Sequence, residues 1–389
     1  EVIFRCKICS WLILYFHIIS RGYFGCLRWV FIVKRLKFMR AVQHIIIQNE
    51  EADQRLDRFL KRKFPALKQS QIEKICRKGE VRIDGGRCKP ATRLVQGNEL
   101  RIPPLKSDEN FNKVPFVSQN VISEKNAKMM RDAIIYKDDH LIIINKPAGL
   151  PSQGGSKQSI HVDGLGDAIT FEKKERPRLV HRLDKDTSGV MVLARTRQAA
   201  KSLSEALKHR EARKIYWAAI AGVPQPEAGT INYGLVKKSG HGRQGEGEKM
   251  QCIHPDAVSS TEGAKRAVSD FMVLSRLANR GSWVALVPIT GRTHQLRAHM
   301  AEIGNPIIGD GKYGGSSQEN LGDGWGAQFG GDISKKLHLH ARYLKIEHPF
   351  EKEIIEIKAD LPSHMARTWK TFQWDPSDVP DDPFFDETF

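Results

Sequence analysis

In "RLVHRLDKDTSGVMVLART", Arg178 to Thr196, a carboxylate, Asp184, stands between apolar runs, with Arg182 two residues before it and Asp186 two after. Burying an acid among Val, Leu and Met costs free energy unless the acid is paired or used. Turn chemistry accounts for part of the stretch. "DKDTSG" joins two strand-like runs, "RLVHRL" and "GVMVLA", and there Asp186, Thr187 and Ser188 suit the capping of backbone N–H groups. Asp184 is different, because it continues the apolar run, and it is the first candidate for chemistry.

Three familiar chemistries fail on spacing. "DTSG" lacks the Gly two residues after the acid that an aspartic protease needs, and no second copy exists to share a proton. "HRLDKD" has the look of a kinase catalytic loop, but no Gly-rich phosphate loop and no Asp-Phe-Gly accompany it. His294 and His299 are five apart without a Glu between them, and His338 alternates with His340, so no zinc motif arises. These four are expected to be core or surface histidines, and neither a metal nor a cofactor is implied. A hydrolase built on Asp184 lacks an evident water-activating partner.

The elements around these residues read as α+β with a largely antiparallel sheet, because strands come in hairpin-joined runs with few helices between. "AIIYKDDHLIIINKPAGLPSQGG" is a strand, a turn, a second apolar strand and a Pro/Gly loop. "TRQAAKSLSEALKHREARK" sets Ala199, Ala200, Leu203, Ala206 and Leu207 on one helical face, and "KIYWAAIAG" is an apolar strand. "SDFMVLSRLANRGSWVALVPITG" reads as a hairpin turning at 279–282. "RTHQLRAHMAEIGNP" is a helix N-capped by Thr293, with Leu296, Met300 and Ile303 inward and Gly304 and Pro306 ending it. Residues 235–267 and 314–334 are Gly-rich, polar loops.

The chain has 389 residues, enough for two domains, and a net charge of +17 that is unevenly spread. Residues 1–40 carry eight Lys/Arg against one acid, and residues 55–101 carry 14 against five. Such a concentration is the footprint of a polyanion binder, most often of nucleic acid. Within 55–101, Leu56, Phe59, Leu60 and Phe64 recur at helical spacing, Ile72, Ile75 and Cys76 mark a second helix that Ser70 and Glu73 can cap, and "EVRIDGGRCK" is a hairpin with an Asp-Gly turn. The six cysteines form no disulfide framework and Cys6–Cys9 is a lone pair, so a reducing compartment is expected. "SWLILYFHIIS" is shorter than the roughly 20 residues of a membrane span. The basic, acid-poor first forty residues fit an organellar transit segment or mistranslated upstream sequence, and a mitochondrial destination is the expectation, with plastid, cytoplasm or nucleus as the alternatives.

Two resemblances follow from these residues. The segment opening at Arg55, with its Ser-led helix and "KGEVRIDG", resembles the S4 RNA-binding module, which implies RNA contacts from Arg55, Arg58, Lys61, Lys68, Lys74, Arg77 and Lys78. "HRLDKDTSGVMVLART" resembles the signature of the RluA-type RNA pseudouridine synthases. "INKPAGLPSQGG", "RKIYWAAIAG", "PITGRTHQLRAHMAEIGNPIIGDGKYG" and "LHLHARYLKIEHP" are similar to that family's other motifs, in its order, from about Ile134 to Pro349.

The resemblance implies a pseudouridine synthase fold and cofactor-free isomerisation of uridine in RNA. The N1–C1′ bond breaks, the uracil turns, and C5 rejoins C1′. By the same resemblance Asp184 is the essential carboxylate, attacking C1′ or removing a ribose proton. Arg297 is the guanidinium that keeps it ionised against burial. Tyr216 stacks on the uracil or accepts the C5 proton, Arg182 fills the place of the extruded base, and Leu339 floors the pocket. Where many members have a hydrophobic residue and His after the Lys-Pro-x-Gly loop, this chain reads Pro151–Ser152–Gln153, which implies a change in RNA contact. The expected organisation is an extension over 1–40, an S4-like unit over 50–103, a linker over 104–132, a catalytic domain over 133–362 and an acidic tail over 363–389. RNA is the expected partner, ribosomal before transfer or messenger, bound by a monomer with no membrane or obligate protein partner. The competing class, a non-catalytic RNA-binding or ribosome-assembly protein of the same fold, sits poorly with intact Asp184, Tyr216 and Arg297.

Overall fold

The structure, a computed structural model, describes residues 42–48, 51–105, 122–154, 160–173, 175–208, 212–238, 249–314 and 333–384. These fall in two compact units, one ending before residue 122 and the other starting at Ile122. The expected extension over 1–40, with Cys6 and Cys9, lies outside the described residues. No helix among the described residues is long and apolar enough to cross a membrane.

The first unit runs β1 (Gln43–Ile46), α1 (Leu56–Lys63), α2 (Gln69–Arg77), β2 (Arg82–Ile83), β3 (Gly86–Arg87) and β4 (Glu99–Ile102). Its antiparallel sheet has the order β1-β4-β2-β3. Leu56, Phe59 and Leu60 lie on one stripe of α1 and pack with Ile72 and Cys76 of α2 against Leu100 and Ile102. Asp84 and Gly85 both have positive φ, 48° and 75°, as the Asp-Gly hairpin turn requires. Two expectations are corrected. The unit begins before residue 50, because β1 supplies an edge strand and Ile47 joins the core. The second helix is not capped by Ser70: it starts at Gln69, and Gln71 Oε1 accepts the Lys68 N–H at 2.8 Å, doing the work expected of Glu73.

The second unit runs α3 (Glu124–Asp132), β5 (Ile134–Lys137), β6 (Leu141–Lys146), α4 (Val162–Leu165), β7 (Arg178–Leu179), β8 (Ser188–Ala194), α5 (Arg197–Lys208), β9 (Arg213–Ala221), β10 (Ala228–Lys238), β11 (Lys249–Ile253), β12 (Lys265–Leu277), β13 (Gly281–Pro288), α6 (Gln295–Glu302), β14 (Leu339–Glu347), β15 (Ile354–Lys358) and α7 (Ser363–Phe372). One sheet orders them β11-β10-β12-β13-β9-β14-β8-β6-β5, with β15 on β14 and β7 on β8. Paired strands are antiparallel except β14 and β8, which run parallel with His340 opposite Ser188. This is the expected α+β fold with a mainly antiparallel mixed sheet. Alternation sends Leu141 and Ile143 to one face, under Leu203 and Leu207 of α5, and Ile142 and Ile144 to the other, under Met130 and Leu165. Leu296 and Met300 seat α6 on Ala218, Val284 and Leu286. His338 and His340 are core residues, fully buried.

The tail expected over 363–389 is corrected as far as residue 384. Met365, Trp369 and Phe372 form the apolar stripe of α7, and with Trp374 and Phe384 they pack on Trp217 and Trp283. Of the acids in this stretch, Asp375, Asp378 and Asp381 are exposed, and Asp382 takes a two-bonded Arg213 guanidinium at 2.8 and 2.9 Å. The expected linker also shortens. Residues 124–132 form α3, with Met130 buried in the second unit, and 106–121 lie outside the described residues.

Candidate active site

Asp184 lies in the connection from β7 to β8, at the wall of a cleft of about 1120 Å³ that Arg182, Tyr216, Arg297 and Leu339 also line. "RLVHRL" was expected to be strand throughout, but only Arg178–Leu179 pairs with β8. Beyond them the Val192 N–H donates to His181 Nε2 at 2.9 Å instead of to a strand carbonyl. Burial, and secondarily the Lys214 charge, pull the His181 pKa down to about 4, so the ring stays neutral and keeps that acceptor. The chain is thereby released from the sheet three residues before Asp184.

Several bonds then fix the released loop. Ser152 is buried, its Oγ donating to Leu183 O at 2.6 Å and accepting the Leu183 N–H at 3.0 Å, so one hydroxyl clamps both sides of the residue before Asp184. On the other side Lys146 is fully buried and gives its three protons to Pro147 O, Leu150 O and Lys185 O at 3.0, 2.7 and 3.1 Å. Burial lowers its pKa to about 7, against the pull of Asp186 and Asp184. Gly149 N–H also donates to Lys185 O, at 2.9 Å. At the start of β8, Ser188 Oγ donates to His340 Nδ1 at 2.8 Å, because the other ring nitrogen faces Ala359 O. Gly189 has φ 110°, and a Cβ there would sit 2.2 Å from Ala341 O, so only Gly admits the close parallel approach of β8 and β14.

Arg297 is the counter-charge. It projects from the first turn of α6, nearly buried, and Nη1 donates to Asp184 Oδ2 at 3.3 Å. Its Nε and Nη2 donate in a fork to the two oxygens of Asp310, each at 2.7 Å. Asp310 is itself fully buried and accepts the Lys312 and Tyr313 N–H groups on Oδ1. Burial works against the Arg297 charge, but the Asp310 bonds and the Asp184 charge outweigh it and raise its pKa further. Arg297 therefore stays a cation with one N–H aimed at Asp184.

Tyr216 stands on β9 between Leu286 of β13 and Ala341 of β14. Burial, then the charge of Asp184, push its phenol above the ordinary tyrosine range, so it holds its proton at neutral pH. Leu339, buried at the start of β14, forms cleft wall, and Arg182 lies exposed at the rim. In the first unit Arg58, Lys61, Lys68, Lys74, Arg77 and Lys78 are exposed on α1, α2 and their ends. Arg55 is exposed too, but forks onto Asp57 at 2.6 and 3.1 Å, a commitment its neighbours' pattern did not announce.

Sequence reasoning overlooked five residues that build this site: Lys146, Ser152, Asp310, His294 and Tyr313. Asp310 and Tyr313 stood in the quoted "GDGKYG" without a role, and a polar residue between Gly309 and Gly311 was the available signal. Ser152, expected to alter RNA contact, points inward instead. Thr293 does not cap α6: His294 occupies that position with φ 52°, a left-handed conformation. The turn before it is held by Gln295, whose Oε1 accepts the Arg292 N–H at 3.0 Å and the Thr290 hydroxyl at 2.6 Å.

The RNA pseudouridylate synthase family pattern matches residues 140–302, and the S4 domain pattern matches residues 54–100. The chain is 35% identical over 330 residues to the ribosomal large subunit pseudouridine synthase C of Salmonella typhimurium strain LT2, covering 84% of this chain and 95% of that protein. It is 34% identical over 330 residues to the protein of that name from Escherichia coli K12, with the same coverage. Among solved structures, human RNA pseudouridylate synthase domain containing 4 superposes with a TM-score of 0.50 at 30% identity, over 66% of this chain and 97% of that one. With a catalytic unit and an S4 unit of this kind, the chain belongs to the RluA-type RNA pseudouridine synthase family, enzymes that bind RNA and isomerise its uridines to pseudouridine.

Proposed function

We propose that this enzyme modifies uridines of large-subunit ribosomal RNA and that Asp184 is its essential carboxylate. The observation that carries the second part is the half-open acid itself, with one oxygen facing the buried, doubly anchored Arg297. The Arg297 guanidinium sets a fixed positive charge beside that oxygen, and the exposed part of the carboxylate opens on the cleft. The target class is supported by the names of the relatives, which are large-subunit enzymes. Tyr216 presents its ring to the uracil; as a phenol that retains its proton it suits stacking better than accepting the C5 proton. Arg182, exposed at the rim, fills the gap left by the extruded uridine and offsets part of the few kcal/mol of unstacking. Leu339 bounds the base from below. Arg58, Lys61, Lys68, Lys74, Arg77 and Lys78 hold phosphates, with Arg55 contributing through the Asp57 pair, and the enzyme acts as a monomer. The basic, acid-poor composition of residues 1–40 supports a mitochondrial destination.

The test is pseudouridine mapping across all RNAs of cells lacking the protein, restored with wild type or with Asp184→Asn. Specific sites in large-subunit RNA should vanish and return only with wild type. Restoration of those sites by Asp184→Asn would remove Asp184 from the chemistry, and loss confined to transfer or messenger RNA would overturn the ribosomal target.

A further inference from the structure

Two side-chain nitrogens face one oxygen of Asp184. Arg297 Nη1 is 3.3 Å from Oδ2, and His294 Nε2 is 3.8 Å from the same atom. No donor to Oδ1 is found among the described residues, and the carboxylate keeps 25% of its side-chain exposure, so Oδ1 is the oxygen left for substrate. His294 is held hard in place. Its backbone is left-handed, only 10% of its side chain is exposed, and its ring meets the Tyr313 ring edge-on at 5.8 Å between centroids.

Tyr313 decides where the histidine carries its proton. The phenol oxygen accepts the Met250 N–H at 2.8 Å and lies 3.0 Å from His294 Nδ1. With an amide already donating to it, the hydroxyl still has its own proton to give, and we assign Nδ1, 3.0 Å away, as its acceptor. A neutral imidazole accepting at Nδ1 is protonated at Nε2, the atom that faces Asp184. The ring stays neutral because burial lowers its pKa first; the charges around it are Asp184 and Asp310, which favour protonation, and Arg297 and Lys312, which oppose it. Met250 comes from β11, Tyr313 from the turns after α6, and Arg297 also lies over the Tyr313 ring, 5.3 Å from its centroid.

We propose that His294 is a positioning residue whose Nε2–H, selected by the Met250–Tyr313–Nδ1 chain, closes onto Asp184 Oδ2 when RNA fills the cleft and turns Oδ1 toward the ribose. This rests on reading Asp184 as the essential acid. The 3.8 Å gap is of the kind that tightens in the loaded site. A neutral donor steers the carboxylate without adding a second cation beside Arg297.

The test pairs single-turnover conversion of RNA with NMR of isotope-labelled histidine nitrogens in the full-length enzyme. Wild type should show His294 protonated at Nε2 only, and Tyr313→Phe should lose that preference. His294→Asn suits the left-handed backbone but places its amide where Nδ1 was, whereas His294→Gln places an amide N–H where Nε2–H was. Conversion should fall about tenfold or more in His294→Asn, as for loss of a hydrogen bond to a charged group, with RNA affinity unchanged. His294→Gln should recover most of that loss, and adding Tyr313→Phe to His294→Asn should cost little more. A purely structural role predicts the reverse ranking of Asn and Gln. That ranking, a wild-type Nδ1-protonated ring, or full-rate His294→Asn would overturn the proposal. Asp184→Asn runs alongside: if it stays active, the reading of Asp184 has failed, and if it is dead while His294→Asn is at full rate, only the role of His294 has.

Discussion

At the scale of single residues, the site turns on how Arg297 divides its guanidinium. Two nitrogens are committed to buried Asp310 and one to Asp184, so the group orients one carboxylate by gripping another. Arg297→Lys keeps the charge but cannot span both acids, since an ammonium is a point donor and not a fork. Asp310 would then be a buried anion with poor pairing. We expect Arg297→Lys to lose roughly 2–3 kcal/mol of stability, read by denaturant unfolding, because breaking such a pair outright costs about 3–5 kcal/mol. Conversion should fall on the order of 100-fold, as when one preorganised donor is removed from an anionic centre. Wild-type turnover in this variant would mean that charge alone suffices. Arg297 was identifiable in the sequence by its motif, but Asp310, which makes the arginine rigid, carried no periodic signal.

At the scale of elements, the catalytic loop is placed by the parallel pairing of β8 with β14, the one such pairing among the described residues of an otherwise antiparallel sheet. β8 approaches β14 so closely that the backbone of Ala341 occupies the space a side chain at 189 would need. Gly189→Ala is therefore predicted to destabilise the second unit by about 3 kcal/mol or more, combining a disfavoured φ with a backbone clash. A thermal melt compared with wild type measures it. An unchanged melting temperature would show that β14 can retreat, and with it that the loop holding Asp184 is not anchored there. The same loop is fastened from the opposite side by Lys146 and Ser152, residues that belong to a different segment of the chain. Their inward direction was invisible locally. A Lys next to Pro in a Pro/Gly loop looks like surface until the connection from β7 is laid over it.

At the scale of the whole molecule, the concentrated excess of basic over acidic residues and the chemistry reside in different units. The S4 unit is a small core of two helices and a four-stranded sheet whose outer surface carries the Lys and Arg residues; the larger unit carries the cleft. If the first serves affinity and the second chemistry, they separate experimentally. Replacing Lys61, Lys74 and Lys78 with Gln should lower the slope of log affinity against log salt by up to about one per lost phosphate contact. The single-turnover rate at saturating enzyme should not change. A fall in that rate with an intact salt slope would place those lysines in the reaction instead.

Much was already written in the chain: the apolar stripes of α1 and α5, the continuous apolar runs of β6 and β8, the Asp-Gly turn, and the ordered motifs that carry the family. All of these are local patterns, legible because helix and strand periods are set by the neighbouring backbone. Element ends and accessory segments were less legible. The stretch after Pro362 was set apart for its acids, although Met365, Trp369 and Phe372 marked a buried face. What only the tertiary structure decided is the meeting of Asp184 with Arg297, 113 residues away, and with His294 and Tyr313. Those contacts depend on strand order and on the register of β14 against β8 and β9, which no local pattern encodes; a polar side chain aimed inward is stable only because distant backbone and acids satisfy it.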